Sequence, residues 1–322
     1  MPESSASGTA CPRSPPTPGP VQPAVGLARI LTRAPSERWR VPLGIGLVCL
    51  AGTMFPFMNA FAKLLGADYS SLQISWARFF GHVLFLMALF MPRRGIRMVF
   101  TRRPRLQIAR SVIQCVSNLC FVAAIVYQPL ASAAAIGMMG PLIVALLAWP
   151  ILGERTTLGH AVAIVVGFIG VLIVIRPGGD VFHVSALFLV ASAVCYAFYQ
   201  ILTRMVANID PPETTTFYSS AFGAVGMLVV LPFVWKSPAS VRDFLLFCGL
   251  GVLGGLGHYC VVRALAYAPA NIISPFQYFQ LIGSVIVGYL LFGHFPDAAT
   301  WAGSAVIVSA GLYLGWSQTR RH

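Results

Sequence analysis

Long apolar stretches alternate with short polar or basic connections along most of this chain. Ten such stretches follow residue 40, at residues 41–64, 72–91, 106–127, 129–152, 157–175, 184–205, 214–235, 244–267, 269–292 and 297–316. At about 1.5 Å per residue, about twenty helical residues cross a hydrocarbon layer roughly 30 Å thick. The pattern predicts an all-α integral membrane protein with ten transmembrane helices.

The two ends of the chain lack this pattern. Residues 1–40 contain eight prolines together with Ser, Gly and Arg, and they include no apolar run. Such a composition is typical of a disordered tail, and the short apolar core of a signal peptide is missing. Residues 317–322 form a second, short tail.

Composition supports a membrane environment. Of the 322 residues, 57% are hydrophobic and 10% are charged, and the mean hydropathy is +0.78. A soluble domain carries about 25% charged residues, so this chain could not cover its own surface with polar groups in water. The bilayer is therefore an expected partner.

The net charge of +13 is placed in a way that argues against nucleic-acid binding. If the N-terminus is cytoplasmic, sixteen of the 22 Lys and Arg residues lie in tails and loops on that side, and four lie on the other side. Short basic loops beside apolar spans orient helices in a membrane. We therefore expect no nucleic-acid partner and a multi-pass protein of the cell (inner) membrane with both termini cytoplasmic.

Two segments of the chain resemble each other. Laying Cys120–Glu154 on Cys260–His294 without a gap gives six identities in 35 positions, including Tyr127 with Tyr267. Near the front of each copy, a shift of 141 residues pairs Lys63 with Arg204. Internal repetition is the expected reading, and accidental similarity within a simple ten-helix bundle is its alternative.

The repeat divides the chain into residues 41–176 and 184–316, each with five predicted spans. Because five is odd, the second copy enters the membrane from the opposite side. Inverted repeats of this kind are the architecture of carriers whose halves rock around a site near the bilayer midplane. The sequence thus predicts two inverted five-helix repeats.

The segment "VYQPLASAAAIGMMGPLIVALLAWPILGERTT", with "GFIGVLIVIRP" behind it, resembles the closing half of an EamA-type repeat of the drug/metabolite transporter superfamily. The segment "RALAYAPANIISPFQYFQLIGSVIVGYLLFGH" resembles it again, and Lys63 with Arg78 fits the opening of the first unit. The resemblance covers residues 44–316 and implies a ten-helix inner-membrane carrier for small organic metabolites. His294 departs from it, because an acid would be expected there.

The acidic residues restrict the substrate. All nine Asp and Glu lie in the tail, in loops or at span ends. A carrier of cations usually places a carboxylate inside the membrane. We therefore expect a neutral, zwitterionic or anionic substrate, such as an amino acid or a vitamin like riboflavin.

Polar and aromatic residues inside the spans are the candidates for substrate binding, because such groups are unfavourable in hydrocarbon unless they face a partner or a wet cavity. They are Asn59, Arg78, His82, Gln114, Asn118, Tyr196, Tyr199, Gln200, His258, Tyr259, Gln277 and Gln280. The alternatives are a snorkelling role for Arg78 instead of an anion clamp, and interhelical hydrogen bonding for the amides. His82 and His258 are candidates for a proton relay. Pro141 and Pro275 are candidate hinges, because proline removes a helical hydrogen bond.

Other function classes find little support. The chain has no Walker motif, no CxxC or metal-ligand spacing, and no paired carboxylates or activated nucleophile. We expect no cofactor, no metal and no enzymatic activity. The leading interpretation is a secondary transporter working by alternating access, and a homodimer is compatible with it. A passive channel, a structural bundle and, less so, a membrane-embedded enzyme are the alternatives.

Overall fold

The computed structural model describes residues 37–152, 158–176, 184–206, 209–268, 273 and 276–319. This part of the chain is helical and contains no strand. The helices are α1 (Glu37–Leu65), α2 (Ser71–Arg94), α3 (Pro104–Ile125), α4 (Leu130–Gly137), α5 (Gly140–Leu152), α6 (Leu158–Ile175), α7 (Ser185–Val206), α8 (Pro212–Met227), α9 (Leu231–Val234), α10 (Val241–Tyr267), α11 (Phe279–Phe292) and α12 (Ala298–Thr319). A 3₁₀ turn, Gly95–Val99, follows α2. The predicted all-α class is confirmed.

Five of the described helices are long and apolar enough to cross a membrane: Trp39–Leu65, Ser71–Pro92, Pro104–Ile125, Ser185–Val206 and Val241–Tyr267. Four shorter apolar helices accompany them, at Leu130–Val144, Ala161–Ile175, Phe279–Phe292 and Ala298–Leu314. The chain is thus a multi-pass membrane protein, and the count of ten spans stays a prediction. Helix α1 begins at Glu37, inside the predicted tail, whose first 36 residues lie outside the described part.

Two predicted spans are divided. Residues 129–152 form α4 and α5 with a turn at Met138 and Met139 between them, and residues 214–235 form α8 and the short α9. Pro141 accounts for the first division, because it has no N–H to donate to Gly137 and its ring would clash with that carbonyl in a continuous helix. Pro141 therefore lies in the first turn of α5, where proline is well tolerated. Its role as a hinge stays a prediction, and Pro275 lies outside the described residues.

Most helix pairings occur in both halves of the chain when α1 is matched with α7, α2 with α8, α3 with α10, α4 and α5 with α11, and α6 with α12. Helix α1 packs on α10 as α3 packs on α7, and α2 packs on α10 as α3 packs on α8. Helix α1 also packs on α11, matching the packing of α4 and α5 on α7. The pairs α2 with α8, α4 with α11 and α6 with α12 map onto themselves. This pattern is the one expected of two halves related by an approximate two-fold axis.

Glycines bring helices from the two halves into backbone contact. A Cβ built on Gly81 of α2 would lie 2.5 Å from the Cα of Gly251 in α10. A Cβ on Gly170 of α6 would lie 2.9 Å from the carbonyl oxygen of Gly303 in α12. Small residues allow helix axes to approach this closely in membranes. Gly81, Gly251, Gly170 and Gly303 are therefore positions where helices of the two halves pack closely.

A group of hydrogen bonds, here called the first clasp, joins the α1–α2 connection to the segment before α10. The Tyr69 hydroxyl donates to Asp243 Oδ2 at 2.9 Å and accepts from the Ala239 amide at 2.8 Å. The Gln73 side chain donates to the Lys236 carbonyl at 2.6 Å and accepts from the Lys236 amide at 2.9 Å. The first clasp therefore ties the two halves together near the start of α2.

A second clasp joins the α2–α3 connection to the α7–α8 connection, beyond the other end of α2. Asp210 accepts hydrogen bonds from the Thr101 hydroxyl, from the Arg102 amide at 3.1 Å and from Gln107 Nε2 at 2.9 Å. Burial alone would raise the pKa of the Asp210 carboxyl, but the hydrogen bonds from Thr101 and Gln107 outweigh it and the pKa lies below its ordinary value. The two clasps thus close opposite ends of the same helix.

Candidate functional site: a polar cavity between the halves

A cavity of about 120 Å³ lies inside the helical bundle. It is lined by α1, α3, α4, α7 and α10, by the residues at the start of α11, and by one residue each from α2 and α5. These helices are the ones that the two-fold exchange maps onto each other, so the cavity lies where the two halves meet. A space of this size holds several water molecules or part of a small organic molecule.

Eight of the twelve predicted substrate-binding candidates line this cavity. They are Asn59, Arg78, Gln114, Asn118, Tyr196, His258, Gln277 and Gln280. Pro141 lines it as well. The apolar remainder of the wall includes Phe55 and Phe121, whose rings offer flat surfaces to a ligand. The combination of an apolar wall with a few polar groups is typical of small-molecule sites.

Arg78 is the cation of the cavity wall. Its side chain is 6% exposed, and Nη2 lies 2.9 Å from Nε2 of His258, while Nε has no hydrogen-bond partner among the described residues. No Asp or Glu is among the described residues that line the cavity. Arg78 therefore points into the protein and does not snorkel to the surface.

His82 lies behind the cavity wall, between α2 and α10. Its ring is 5.7 Å from that of His258 and hydrogen-bonds the backbone of Leu250. A Cβ on Gly254 would lie 2.0 Å from His82 Nε2, so only glycine leaves room for the imidazole there. His82 and His258 are neighbours, but His258 alone of the two faces the cavity.

Amide side chains complete the polar wall. Gln114 and Asn118 are one turn apart on α3, and their oxygens Oε1 and Oδ1 have no hydrogen-bond partner in the described structure. Nε2 of Gln277 is also unpaired. Buried polar atoms of this kind normally have a partner, so these atoms are available to water or to a ligand. Rotation lets each amide offer either a donor or an acceptor.

Three other candidates lie outside the cavity wall. Tyr199 lies beneath the guanidinium of the buried Arg110, whose carbon is 5.0 Å from the ring centroid. The ring of Tyr259 packs on Phe90 at 4.8 Å, on another side of α10 from His258. Gln200 is buried in α7, one turn beyond the cavity residue Tyr196. Tyr199 and Tyr259 thus pack against other side chains, whereas Nε2 of Gln200 has no hydrogen-bond partner among the described residues, and substrate contact for all three stays a prediction.

Sequence reasoning overlooked small residues of the wall. Ala133 and Gly137 line the cavity at four-residue spacing along α4, and the candidate hinge Pro141 follows at the same spacing in α5. Ser117 and Ser192 also line it, and each hydroxyl donates to the other residue's carbonyl at 2.8 Å. A stripe of small residues at helical spacing in "ASAAAIGMMGP" was the available signal.

The arrangement suits binding more than bond-breaking chemistry. One guanidinium, one imidazole, several amides and the phenol of Tyr196 face the cavity. Within the described ranges, no group of three or more His, Cys, Asp or Glu side chains is placed to hold a metal ion. Such a wall recognises a polar solute by hydrogen bonds and charge.

Comparisons with known proteins agree with this interpretation. The model of the EamA-like transporter family matches residues 42–176 and again residues 183–315. The S-adenosylmethionine uptake transporter of Rickettsia conorii is 27% identical over 277 residues, covering 86% of this chain and 94% of the relative. The riboflavin transporter of Rhizobium johnstonii is 29% identical over 289 residues, with coverages of 88% and 95%. The pseudopaline exporter CntI of Pseudomonas aeruginosa is 29% identical over 282 residues, with coverages of 86% and 97%.

The fold also has a counterpart among solved structures. A crystal structure of a protein that is 17% identical superposes with a TM-score of 0.64, over 89% of this chain and 100% of that chain. At this identity the likeness concerns the fold alone.

Proposed function

The chain belongs to the EamA-like transporter family, and on that basis we propose that it moves a small organic metabolite by alternating access of the cavity to the two sides of the membrane. That it is a small-molecule transporter and not an enzyme follows from the family and from the names of its relatives. Those names cover three different solutes and both uptake and export. The substrate must therefore be argued from this chain's own cavity.

The observation that carries the proposal is the position of the cavity. Its walls come from helices that exchange with each other when the halves are exchanged. A site near such an axis is what alternating access requires, because the same residues must face either side in turn. The two clasps support the proposal, since each ties one half to the other at a different end of α2.

Charge placement completes the proposal. The excess of Lys and Arg in the tails and in alternate loops supports cytoplasmic termini in a cell (inner) membrane. With that orientation, the first clasp lies on the outer side and the second clasp on the cytoplasmic side.

The test compares metabolites in cells and in medium, with and without the protein. We expect one compound, or a few related ones, to move, and flux in proteoliposomes to saturate and to be stimulated by substrate on the opposite side. Unsaturable flux without counterflow would point to a channel instead, and no movement of any compound would contradict transport.

Two glycine variants sharpen this test. A Cβ on Gly137 would meet no atom within 4 Å, although Gly137 lines the cavity. Gly137→Phe should therefore place its ring in the cavity and abolish transport. Gly226 is exposed on α8 and is equally free of neighbours. Gly226→Phe is the matched control and should leave transport intact.

A further inference from the structure

We propose that the substrate carries an anionic oxygen group, a carboxylate or a phosphate, which replaces His258 as the hydrogen-bond partner of Arg78. This inference rests on the proposed function, because it assigns a substrate class to the same cavity. It narrows the expected neutral, zwitterionic and anionic compounds to those with a negative group.

The first support is the unbalanced charge of the cavity. Arg78 is buried, its one hydrogen-bond partner in the described part of the chain is His258, and no carboxylate is found among the described lining residues. A buried charge without a counter-charge is strongly unfavourable. A substrate that brings the counter-charge therefore gains free energy on binding that a neutral compound does not.

The second support is the geometry of the guanidinium. Nε and Nη2 lie on the same edge of the group and point in the same direction. His258 occupies Nη2 through its Nε2 at 2.9 Å, whereas Nε is left without a partner. A single imidazole nitrogen cannot satisfy both donors. A carboxylate or phosphate accepts from both at once, in the paired arrangement that arginine favours.

The third support comes from the approximate symmetry. The shift of 141 residues that relates the halves brings Arg78 onto Ser219 in α8. Ser219 is buried, so the fold accepts a small neutral residue at the corresponding position. The helix crossing thus does not require an arginine, which favours a role for Arg78 in binding.

The rest of the wall suggests how the substrate lies. Oε1 of Gln114 and Oδ1 of Asn118 are acceptors without partners among the described residues, and both belong to α3, a different helix from the one that carries Arg78. A substrate with its anionic group at Arg78 and hydrogen-bond donors elsewhere would satisfy both sets of atoms. His258 acts as a positioning residue that holds the guanidinium while the site is empty.

The experiment uses the full-length protein in proteoliposomes. A defined mixture supplies organic carboxylates, phosphate esters, uncharged metabolites and cations without an acid group, and mass spectrometry identifies what accumulates. Each accumulated acid is then compared with its primary amide, or each phosphate ester with its parent alcohol. Accumulation confined to one acid class distinguishes carboxylate from phosphate recognition.

We expect the native protein to move acids, and to prefer each acid to its neutral counterpart by about tenfold or more, the usual value of a charge-assisted hydrogen bond. In Arg78→Gln this ratio should fall to about 1. Arg78→Lys should keep part of the preference, because lysine retains the positive charge but lacks the paired N–H donors of the guanidinium. Arg263→Gln removes a buried arginine that does not line the cavity and should keep the full ratio.

Two results would overturn the inference while leaving transport in place: accumulation of uncharged or cationic compounds by the native protein, or an unchanged ratio in Arg78→Gln. If Arg78→Gln does not insert, the native preference and that of Arg78→Lys still decide the matter. If the native protein accumulates nothing from any class, transport itself is contradicted.

Discussion

Tyr69 donates a hydrogen bond of 2.9 Å to Asp243 in the first clasp, and the Arg102 amide donates one of 3.1 Å to Asp210 in the second. Tyr69 and Asp210 are 141 residues apart, and so are Arg102 and Asp243. The same two positions of the repeat are therefore bonded at both ends of α2, with different chemistry. A side-chain hydroxyl donates at one end and a backbone amide at the other. Under the proposed alternating access, each bond opposes opening of its own end, and their relative strengths set the balance between the two access states.

Tyr69→Phe tests the first clasp. The change removes the hydroxyl that donates to Asp243 and accepts from Ala239. We expect a several-fold shift toward the state that is open at this end, because the loss of a hydrogen bond favours the state that does not make it. The measurement is the rate at which a cysteine introduced at the cavity residue Ala134 reacts with an impermeant thiol reagent applied from that side, in a background without native cysteines. Tyr289→Phe, at an exposed ring, is the control and should not alter the rate.

Asp210→Asn tests the second clasp in the opposite sense. The new amide group places a donor opposite the donors of Thr101 and Gln107, so access from the other side should increase. The double variant with Tyr69→Phe should return toward the native balance. Asp68→Asn, in an exposed loop, is the matched control. If the labelling rates from each side of the membrane are the same in Asp210→Asn as in the native protein, the second clasp does not govern access.

The pH dependence of this clasp follows from the lowered pKa of Asp210. Because the pKa of the Asp210 carboxyl is lowered in the folded protein, the ionised carboxylate stabilises the fold at pH values above its ordinary pKa of 3.8. This stabilisation is lost only as the pH falls through the lowered pKa. Between about pH 5 and 8 the clasp should therefore not titrate. Access rates in Asp210→Asn should differ from the native rates by the same factor throughout that range, and a factor that varies with pH would contradict this.

Gly81→Ala tests the closest helix contact. The added Cβ would lie 2.5 Å from the Cα of Gly251, so α2 and α10 must separate. Overpacking of this kind costs about 1–3 kcal/mol, and we expect the apparent Tm in detergent to fall by several degrees. Gly46→Ala, on the exposed face of α1, meets no atom within 4 Å and should leave the Tm unchanged or raise it. An unchanged Tm in Gly81→Ala would contradict the contact.

Lys63→Met tests how the end of α3 is stabilised. Lys63 Nζ donates to the carbonyls of Ile125, Val126 and Gln128 at 3.0, 3.1 and 2.6 Å. Met keeps the chain length but removes the donors, which should lower stability by about 2 kcal/mol or more. Lys63→Arg keeps a donor and should lose less. The measurement is thermal unfolding of both variants and of the native protein. If Lys63→Met is as stable as the native protein, water replaces the lysine as the donor to these carbonyls.

The sequence was enough to predict that most of the polar candidates are buried inside the protein. It was a poorer guide to which of them face the cavity. Arg78 and His82 share a face of α2, yet His82 is displaced into the α2–α10 contact because Gly254 of the other half makes room for it. Likewise His258 faces the cavity while its neighbour Tyr259 packs on Phe90. The rotation of a helix about its axis depends on partners far along the chain, which a helical pattern alone does not contain. The division between α4 and α5 was readable from Pro141.

Under the proposed alternating access, we expect α2 to tilt about the contact between Gly81 and Gly251, here called the fulcrum, because no side chain separates the two backbones there. Arg78 is about 4.5 Å along the helix from the fulcrum, whereas Ser71 and Arg94 are about 15 and 20 Å from it. A tilt of roughly 10° moves the helix ends by about 3 Å and Arg78 by less than about 1 Å. Because Arg78 lies close to the fulcrum and the helix ends lie far from it, the ends of α2 could open while Arg78 stays almost in place against the substrate.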